Sequence, residues 1–280
     1  PTRTGYTFKG WATSKTATTA NYQHGGSYTA NAATTLYAVW QQNYLTVNYY
    51  SNYATSSFSG ALNAVGADKN VIVRTSKFYY ATAYTDGLHN YTASSNGTYL
   101  ARTGYTATGN WGTTTSGGKL VNQDTSFASG QALAQALGKT LASSNQTVNV
   151  YPQWKINTWA VTYNKNTTDT VSNMPSNQTK TYNQTLTLSS NTPTRTGYTF
   201  QGWATSSSST TVAYKAGASY TGNAALNLYA VWKLAMSTVT IYDENNTKKT
   251  GMCFFYDEYG NKHYAIISVY DSNGQRHAVK

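Results

Sequence analysis

Apolar and polar residues alternate in short runs along this chain, which is the pattern of half-buried β-strands. Tyr6 and Phe8 flank Thr7 before a glycine interrupts the run. Residues 226–232, LNLYAVW, carry apolar side chains on both faces, which predicts a central strand. The runs LTVNYY at residues 45–50 and AVTYN at residues 160–164 predict two further strands.

One segment has a helical period instead. In residues 130–145, leucines 133, 137 and 141 recur every four residues, behind the candidate N-caps Ser126 and Ser129. We expect one helix here, although Gly138 interrupts it. The predicted fold class is therefore α+β, with strands dominating.

A tandem repeat organises the chain. Residues 1–40 return without a gap as residues 193–232, with 28 of the 40 aligned positions identical. A looser copy lies between them, with ARTGYT at residues 101–106, then Trp111 and a closing Trp154. This middle copy is longer, because 43 positions separate its two tryptophans against 29 in the first copy.

Four domains follow from the repeat. Residues 1–40 are interpreted as the C-terminal half of a first repeat, so we expect the chain to be a segment of something longer. Residues 44–154 form a second, divergent repeat with an insertion and one helix, and residues 159–232 a third, complete repeat. Limited proteolysis is expected to cut between domains, near residues 41–44, 155–158 and 233–237.

The last domain, residues 236–280, has a different period. Three units of 14 residues begin their signature at Tyr242, Tyr256 and Tyr270. A tight turn needs a residue that accepts positive φ. The equivalent position of the three units is occupied by such a residue, in order Asn246, Gly260 and Gly274. The pattern predicts a meander of three short antiparallel β-hairpins.

The repeat resembles a known family. The string P-T-R-T-G-Y-T-F-x-G-W, followed by Tyr22, Gly25, Tyr28 and L-Y-A-V-W, is similar to the internalin-type B repeat, also called the Listeria-Bacteroides repeat. The resemblance implies tandem β-grasp-like modules on secreted, wall-attached bacterial proteins or on phage structural proteins, and it implies no catalytic residues. The hairpin tail has a weaker likeness to the ends of prophage virion or tail proteins.

The repeated aromatic residues have two interpretations, a module core or a platform for sugars. Because they recur at matched positions, we expect them to form the structural core. The expected core residues are Tyr6, Phe8, Trp11, Trp40, Trp111, Trp154, Tyr198, Phe200, Trp203 and Trp232. Exposed ligand contacts are instead expected in the tyrosine-rich stretch that the other copies lack, at Tyr79, Tyr80, Tyr84 and Tyr91.

Composition argues against several kinds of site. The net charge is +11, but the cations arrive singly, which predicts a diffusely basic surface and no specific nucleic-acid site. Carboxylates are too sparse before residue 236 for a paired glycosidase site, and Cys253 is alone. We therefore expect no enzyme, no catalytic residue, no cofactor and no metal.

These observations predict a non-enzymatic spacer and adhesion array on a bacterial cell surface, outside the cell. Its expected partners are anionic or glycan surface polymers or host receptors, and the membrane is not entered because no run of about 18 apolar residues occurs. The alternative is a phage or prophage tail or fibre protein whose hairpins mediate self-assembly or contacts within the virion. A polysaccharide-cleaving enzyme, acting through Asp124 or Asp169, is a second and weaker alternative.

Overall fold

A computed structural model describes residues 1–85, 87–92 and 99–235, together with the backbone of six short strands further along the chain. The chain divides into two compact units, Pro1–Asn157 and Thr158–Lys280. They are called unit 1 and unit 2 below. As predicted, strands dominate both.

Unit 1 contains the first half-repeat and the middle repeat. Its described elements are β1 (Tyr6–Ala12), β2 (Tyr37–Gln42), β3 (Tyr44–Tyr50), β4 (Ile72–Tyr79), β5 (Tyr105–Thr114), β6 (Gly117–Asn122), α1 (Gly130–Ala136) and β7 (Gln146–Ile156). Strands β1 and β2 form an antiparallel pair, and the other strands form one sheet in the order β4-β3-β7-β5-β6. Within this sheet β3 and β7 are parallel, and the remaining pairs are antiparallel.

The core of unit 1 lies on one face of the five-stranded sheet. Strand β3 buries every second side chain, Leu45, Val47 and Tyr49, as its alternating pattern requires. Helix α1 covers this face with Leu133, and Leu137 at its C-cap is also buried. Burial of these apolar side chains is the main source of stability for the unit.

The helix is shorter than its leucine period suggests. The Ser129 hydroxyl caps its start by accepting a hydrogen bond from the Ala132 N–H at 3.1 Å. Gly138 has a φ of +76° just beyond the last turn, so Leu141 packs into the core from outside the helix. At seven residues α1 is far too short to cross a membrane, and the described part of the chain has no other helix that is long and apolar enough.

Unit 2 contains the third repeat. Its described elements up to residue 235 are β8 (Thr158–Asn164), β9 (Gln178–Thr181), β10 (Leu186–Thr187), β11 (Tyr198–Ala204), β12 (Ser219–Tyr220) and β13 (Leu226–Leu234). Four of them form a sheet in the order β11-β13-β8-β9, with β13 and β8 parallel, and β10 pairs with β12. Strand β13 is central, as its two apolar faces predict. The order matches β5-β7-β3-β4 of unit 1.

The remaining strands form three separate antiparallel pairs. They are β14 (Thr238–Tyr242) with β15 (Lys248–Met252), β16 (Phe254–Tyr256) with β17 (Lys262–Tyr264), and β18 (Ser268–Tyr270) with β19 (Arg276–Ala278). The turn residues expected at Asn246, Gly260 and Gly274 lie outside the described residues, as does Cys253. A continuous meander through the three pairs stays a prediction.

The junction between β2 and β3 consists of the single residue Asn43, which is fully buried. Its backbone N–H donates to the Gly5 carbonyl at 2.8 Å, and its side-chain amide donates to the Leu141 carbonyl at 2.7 Å. Its side-chain oxygen accepts a hydrogen bond from the Thr7 hydroxyl at 2.6 Å. Two consecutive strands therefore meet at one hydrogen-bonded residue within residues 41–44, where the repeat pattern predicts proteolytic cleavage.

Candidate functional site

The repeated aromatic residues form matched clusters of three rings. In the third repeat the Phe200 ring lies 4.9 Å from Trp203 and 5.7 Å from Trp232, measured between centroids. Trp203 is fully buried, and the other two rings pack against the same core. The first half-repeat has similar ring distances, with Phe8 5.2 Å from Trp11 and 5.4 Å from Trp40, but these three rings are only half-buried and belong to neither described core cluster.

The middle repeat builds this cluster with a ring from elsewhere in the chain. Ala107 stands opposite Trp154 in the sheet, where the third repeat has Phe200 opposite its closing tryptophan. The missing ring is supplied by Tyr91, which lies 4.9 Å from Trp111 and 5.7 Å from Trp154. Tyr91 is fully buried, so the expectation that it is an exposed ligand contact is wrong.

The other three candidate tyrosines differ in exposure. Tyr79 is 41% exposed, and its ring lies 5.8 Å from Tyr44 on the neighbouring strand. Tyr80 is half-buried, packs against the core of unit 1 and lies 6.2 Å from the ring of Tyr6. Tyr84 is also half-buried, and its hydroxyl accepts a hydrogen bond from the Tyr79 N–H at 2.6 Å.

The Arg-Thr-Gly-Tyr motif of each copy forms one kind of turn. In unit 2 the Tyr198 N–H donates to the Arg195 carbonyl, and the guanidinium lies 3.6 Å from the centre of the Tyr198 ring. Arg195 also forms an ion pair with Asp169 at 2.6 Å. The same stacking joins Arg3 to Tyr6 at 3.7 Å and Arg102 to Tyr105 at 4.0 Å. The repeated arginines therefore stabilise their own turns.

A cavity of about 780 Å³ lies in unit 1 beside the edge strand β4. One wall is formed by β4, and the other by residues 83–85, residues 87–90 and Asp124. Of the four tyrosines expected to contact a ligand, only Tyr84 is among the residues lining it. We call this space the β4 cavity.

Strand pairing places unusual residues in the wall of the β4 cavity. Arg74, Ser76 and Phe78 stand opposite the core residues of β3, in order Tyr49, Val47 and Leu45. Residues directly opposite in an antiparallel pair share a face, so these three belong to the core-facing row. Only Phe78 is buried there, while the other two reach into the cavity.

The opposite wall is anchored in the aromatic core. Leu88 is fully buried, and the His89 carbonyl accepts a hydrogen bond from the Trp111 indole at 2.7 Å. The Tyr91 hydroxyl donates to the Asn110 carbonyl at 3.0 Å. In the third repeat no described residue accepts a hydrogen bond from the indole N–H of Trp203. The segment at residues 87–92 thus completes the middle module and at the same time forms a wall of the cavity.

Two titratable groups beside this wall, His89 and Tyr49, are neutral at pH 7. Burial, with a smaller contribution from the positive charge of Arg74, lowers the pKa of His89 to about 4. Burial raises the pKa of Tyr49 to about 12. The His89 Nε2 atom is enclosed and has no hydrogen-bond partner among the described residues. Neither group is poised as an acid or base near neutral pH.

The described lining offers one carboxylate, that of Asp124. It is exposed and accepts a hydrogen bond from the Asn90 side chain at 3.0 Å. A glycosidase uses two carboxyl groups at a set separation, whereas the other candidate, Asp169, is ion-paired in unit 2. The described residues include no group of three or more metal-ligating side chains. The described cavity wall supplies hydrogen-bonding groups and two cations, Arg74 and Lys77, for a bound molecule.

Sequence reasoning missed Arg74 and Ser76, although a signal for them exists. Counting back by two from the apolar Phe78 along a strand reaches Ser76 and then Arg74, on what must be the same face. Polar residues at core-facing positions of an edge strand are a sign of a cavity or a ligand.

Two segments of the chain match a known protein family. Residues 1–39 and 159–231 match the model of the Listeria-Bacteroides repeat domain. These segments are Listeria-Bacteroides repeats. Repeats of this family occur in surface proteins and are in general non-catalytic domains. No curated protein and no solved structure matches the chain.

Proposed function

We propose that this chain is a non-enzymatic spacer and adhesion array displayed on a bacterial cell surface. The observation that supports this best is that the signature residues of the third repeat pack within their own module. Phe200, Trp203 and Trp232 share one core, and Arg195 stacks on the tyrosine of its own turn. Motif residues that pack within their own module maintain its fold and are not free to bind a ligand. Tandem copies of such a module increase the length of a surface protein.

We further propose that both complete repeats are β-grasp-like modules. In each, the first and last strands of the repeat are parallel neighbours inside the sheet, β3 with β7 and β8 with β13. The two remaining strands of the four-strand arrangement lie outside them in the same order. The middle repeat differs by the β4 cavity, which makes it the adhesive module of the array.

Location is tested with antibodies against folded unit 2, on intact cells of the bacterium that carries the gene. The proposal expects labelling of intact cells, and loss of the label after brief protease treatment of the cell surface. An antibody against a cytoplasmic protein is the control and should label only lysed cells.

Two results would contradict the surface proposal. Labelling of released phage particles but not of cells would support the virion alternative, in which the array belongs to a tail or fibre. Labelling that appears only after lysis would exclude both locations.

A further inference from the structure

The β4 cavity is lined by polar side chains that do not contribute to the apolar core of the module. Arg74 occupies a core-facing position, is exposed, and forms no ion pair with any residue in the described part of the chain. We propose that the cavity binds an acidic saccharide, a sugar carrying a carboxylate among its hydroxyls, with Arg74 as the partner of the carboxylate. The proposal specifies the ligand class for the adhesive role proposed above. It depends on that role only in assigning the sugar to a surface polymer.

Arg74 is the cation best placed to meet an anionic group. The other lysine or arginine beside the cavity, Lys77, holds its ammonium 4.5 Å from the centre of the Tyr44 ring. A guanidinium offers two parallel N–H donors to a carboxylate, which gives both strength and orientation. The guanidinium of Arg74 can therefore bind one carboxylate of a ligand.

The rest of the lining favours hydroxyl groups on that ligand. Asp124 accepts hydrogen bonds, Asn90 carries an amide, and Ser76 has a hydroxyl that is hydrogen-bonded to Tyr49. Sugar hydroxyls both donate and accept, so they suit a mixed set of this kind. The Asp124 carboxylate repels a phosphate group, which carries up to two negative charges, more strongly than it repels a singly charged carboxylate, and this disfavours a phosphorylated ligand.

Size and rigidity also fit a small ligand. A volume of about 780 Å³ falls within the range of roughly 300 to 1,000 Å³ that is usual for small-molecule sites. The loop wall is held by buried Leu88 and by the hydrogen bond from Trp111 to the His89 carbonyl. A wall fixed before binding reduces the entropy that is lost when a ligand binds.

Binding is measured by calorimetry on the full chain, with a uronic-acid tetrasaccharide as the probe. Saturable binding is expected, and Arg74→Gln should weaken it at least tenfold, about 1.4 kcal/mol. Arg74→Lys, which keeps the charge but not the paired donors, should bind with intermediate affinity. Lys155→Gln removes an equally exposed cation outside the cavity lining and should leave the affinity unchanged.

Three controls give the proposal ways to fail. The proposal is overturned if a neutral tetrasaccharide binds as tightly as the uronic-acid tetrasaccharide, or if a tetra-glutamate peptide binds and the uronic-acid tetrasaccharide does not. It is also overturned if Arg74→Gln and Lys155→Gln change the affinity equally. Amide NMR shifts in the wild-type chain should cluster at residues 74–78 and 87–90, so the test does not depend on the folding of a variant. Shortening of the tetrasaccharide during incubation would instead contradict the non-enzymatic function.

Discussion

Tyr91 shows how one residue can restore a core that its own strand has lost. The strand position that holds phenylalanine in the other two copies holds Ala107 here, and Tyr91 brings the ring from a preceding loop. The replacement keeps both ring contacts at the distances seen around Phe200. A phenylalanine was evidently not required, but an aromatic ring between the two tryptophans was.

Tyr91→Ala should destabilise unit 1 by about 3–5 kcal/mol, because it leaves a ring-sized cavity between Trp111 and Trp154. Tyr79→Ala, which removes an exposed ring nearby, should cost less than about 1 kcal/mol. Urea denaturation followed by tryptophan fluorescence measures both. Adding Ala107→Phe to Tyr91→Ala should recover part of the loss, and equal stability of the two single variants would contradict the core role.

His89 should make unit 1 sensitive to acid. Its pKa is about 4 in the folded unit against an ordinary 6.5, so between these values the unfolded chain binds a proton that the folded unit excludes. The free energy of unfolding should therefore fall as pH is lowered from 6.5 towards 4, and this contribution should level off below 4. Urea unfolding across this range measures the slope.

His89→Gln should flatten that pH profile, and exposed His24→Gln should leave it unchanged. An identical slope in the wild-type chain and in His89→Gln would show that carboxylates alone set the acid sensitivity.

At the scale of elements, the Phe-x-Gly-Trp motif is explained by a β-bulge. The pairing of β11 with β13 shifts between Phe200 and Gly202, and Gly202 has a φ of +139°. A Cβ atom at Gly202 would lie 2.5 Å from a methyl carbon of Val212 and 2.8 Å from the Tyr214 carbonyl. The bulge lets that neighbouring segment approach the strand and hydrogen-bond to Trp203.

Gly202→Ala should destabilise unit 2 by about 3 kcal/mol, since it adds a collision to the strain of a positive φ. Gly217→Ala is the control, because Gly217 also has a positive φ but an added Cβ atom there would meet only the Ser190 Cβ, at an ordinary contact distance of 3.9 Å. It should cost only about 1 kcal/mol. Thermal unfolding of the two variants compares them, and equal losses would show that the close approach contributes nothing.

The elements were predictable where pattern and repetition agreed. The alternating runs led to β3, β8 and β13, and the leucine period with its serine cap led to α1. Tyr91 and the β4 cavity could not be predicted in the same way. Their contacts join residues far apart in sequence, and no sister copy exists with which to compare residues 80–100.

At the scale of the whole molecule, the described structure changes the expected pattern of cleavage. Asn43 joins the first half-repeat to the middle repeat through four hydrogen bonds, one of which its carbonyl accepts from the Tyr80 N–H, and both repeats belong to unit 1. Limited chymotrypsin digestion should therefore spare residues 41–44, although Tyr44 is a cleavage site for this protease. Rapid cleavage there in the native chain would restore the linker interpretation.

The central claim is that the repeated tryptophans are core residues of independent modules rather than a sugar-binding platform. Trp203→Ala tests it most directly, with an expected cost of about 3–5 kcal/mol, comparable to the total stability of a small domain. Hydrogen exchange followed by mass spectrometry should show loss of protection throughout residues 158–235 and unchanged protection in residues 44–157. A variant that keeps its protection in unit 2 but loses binding to a glycan would contradict the account.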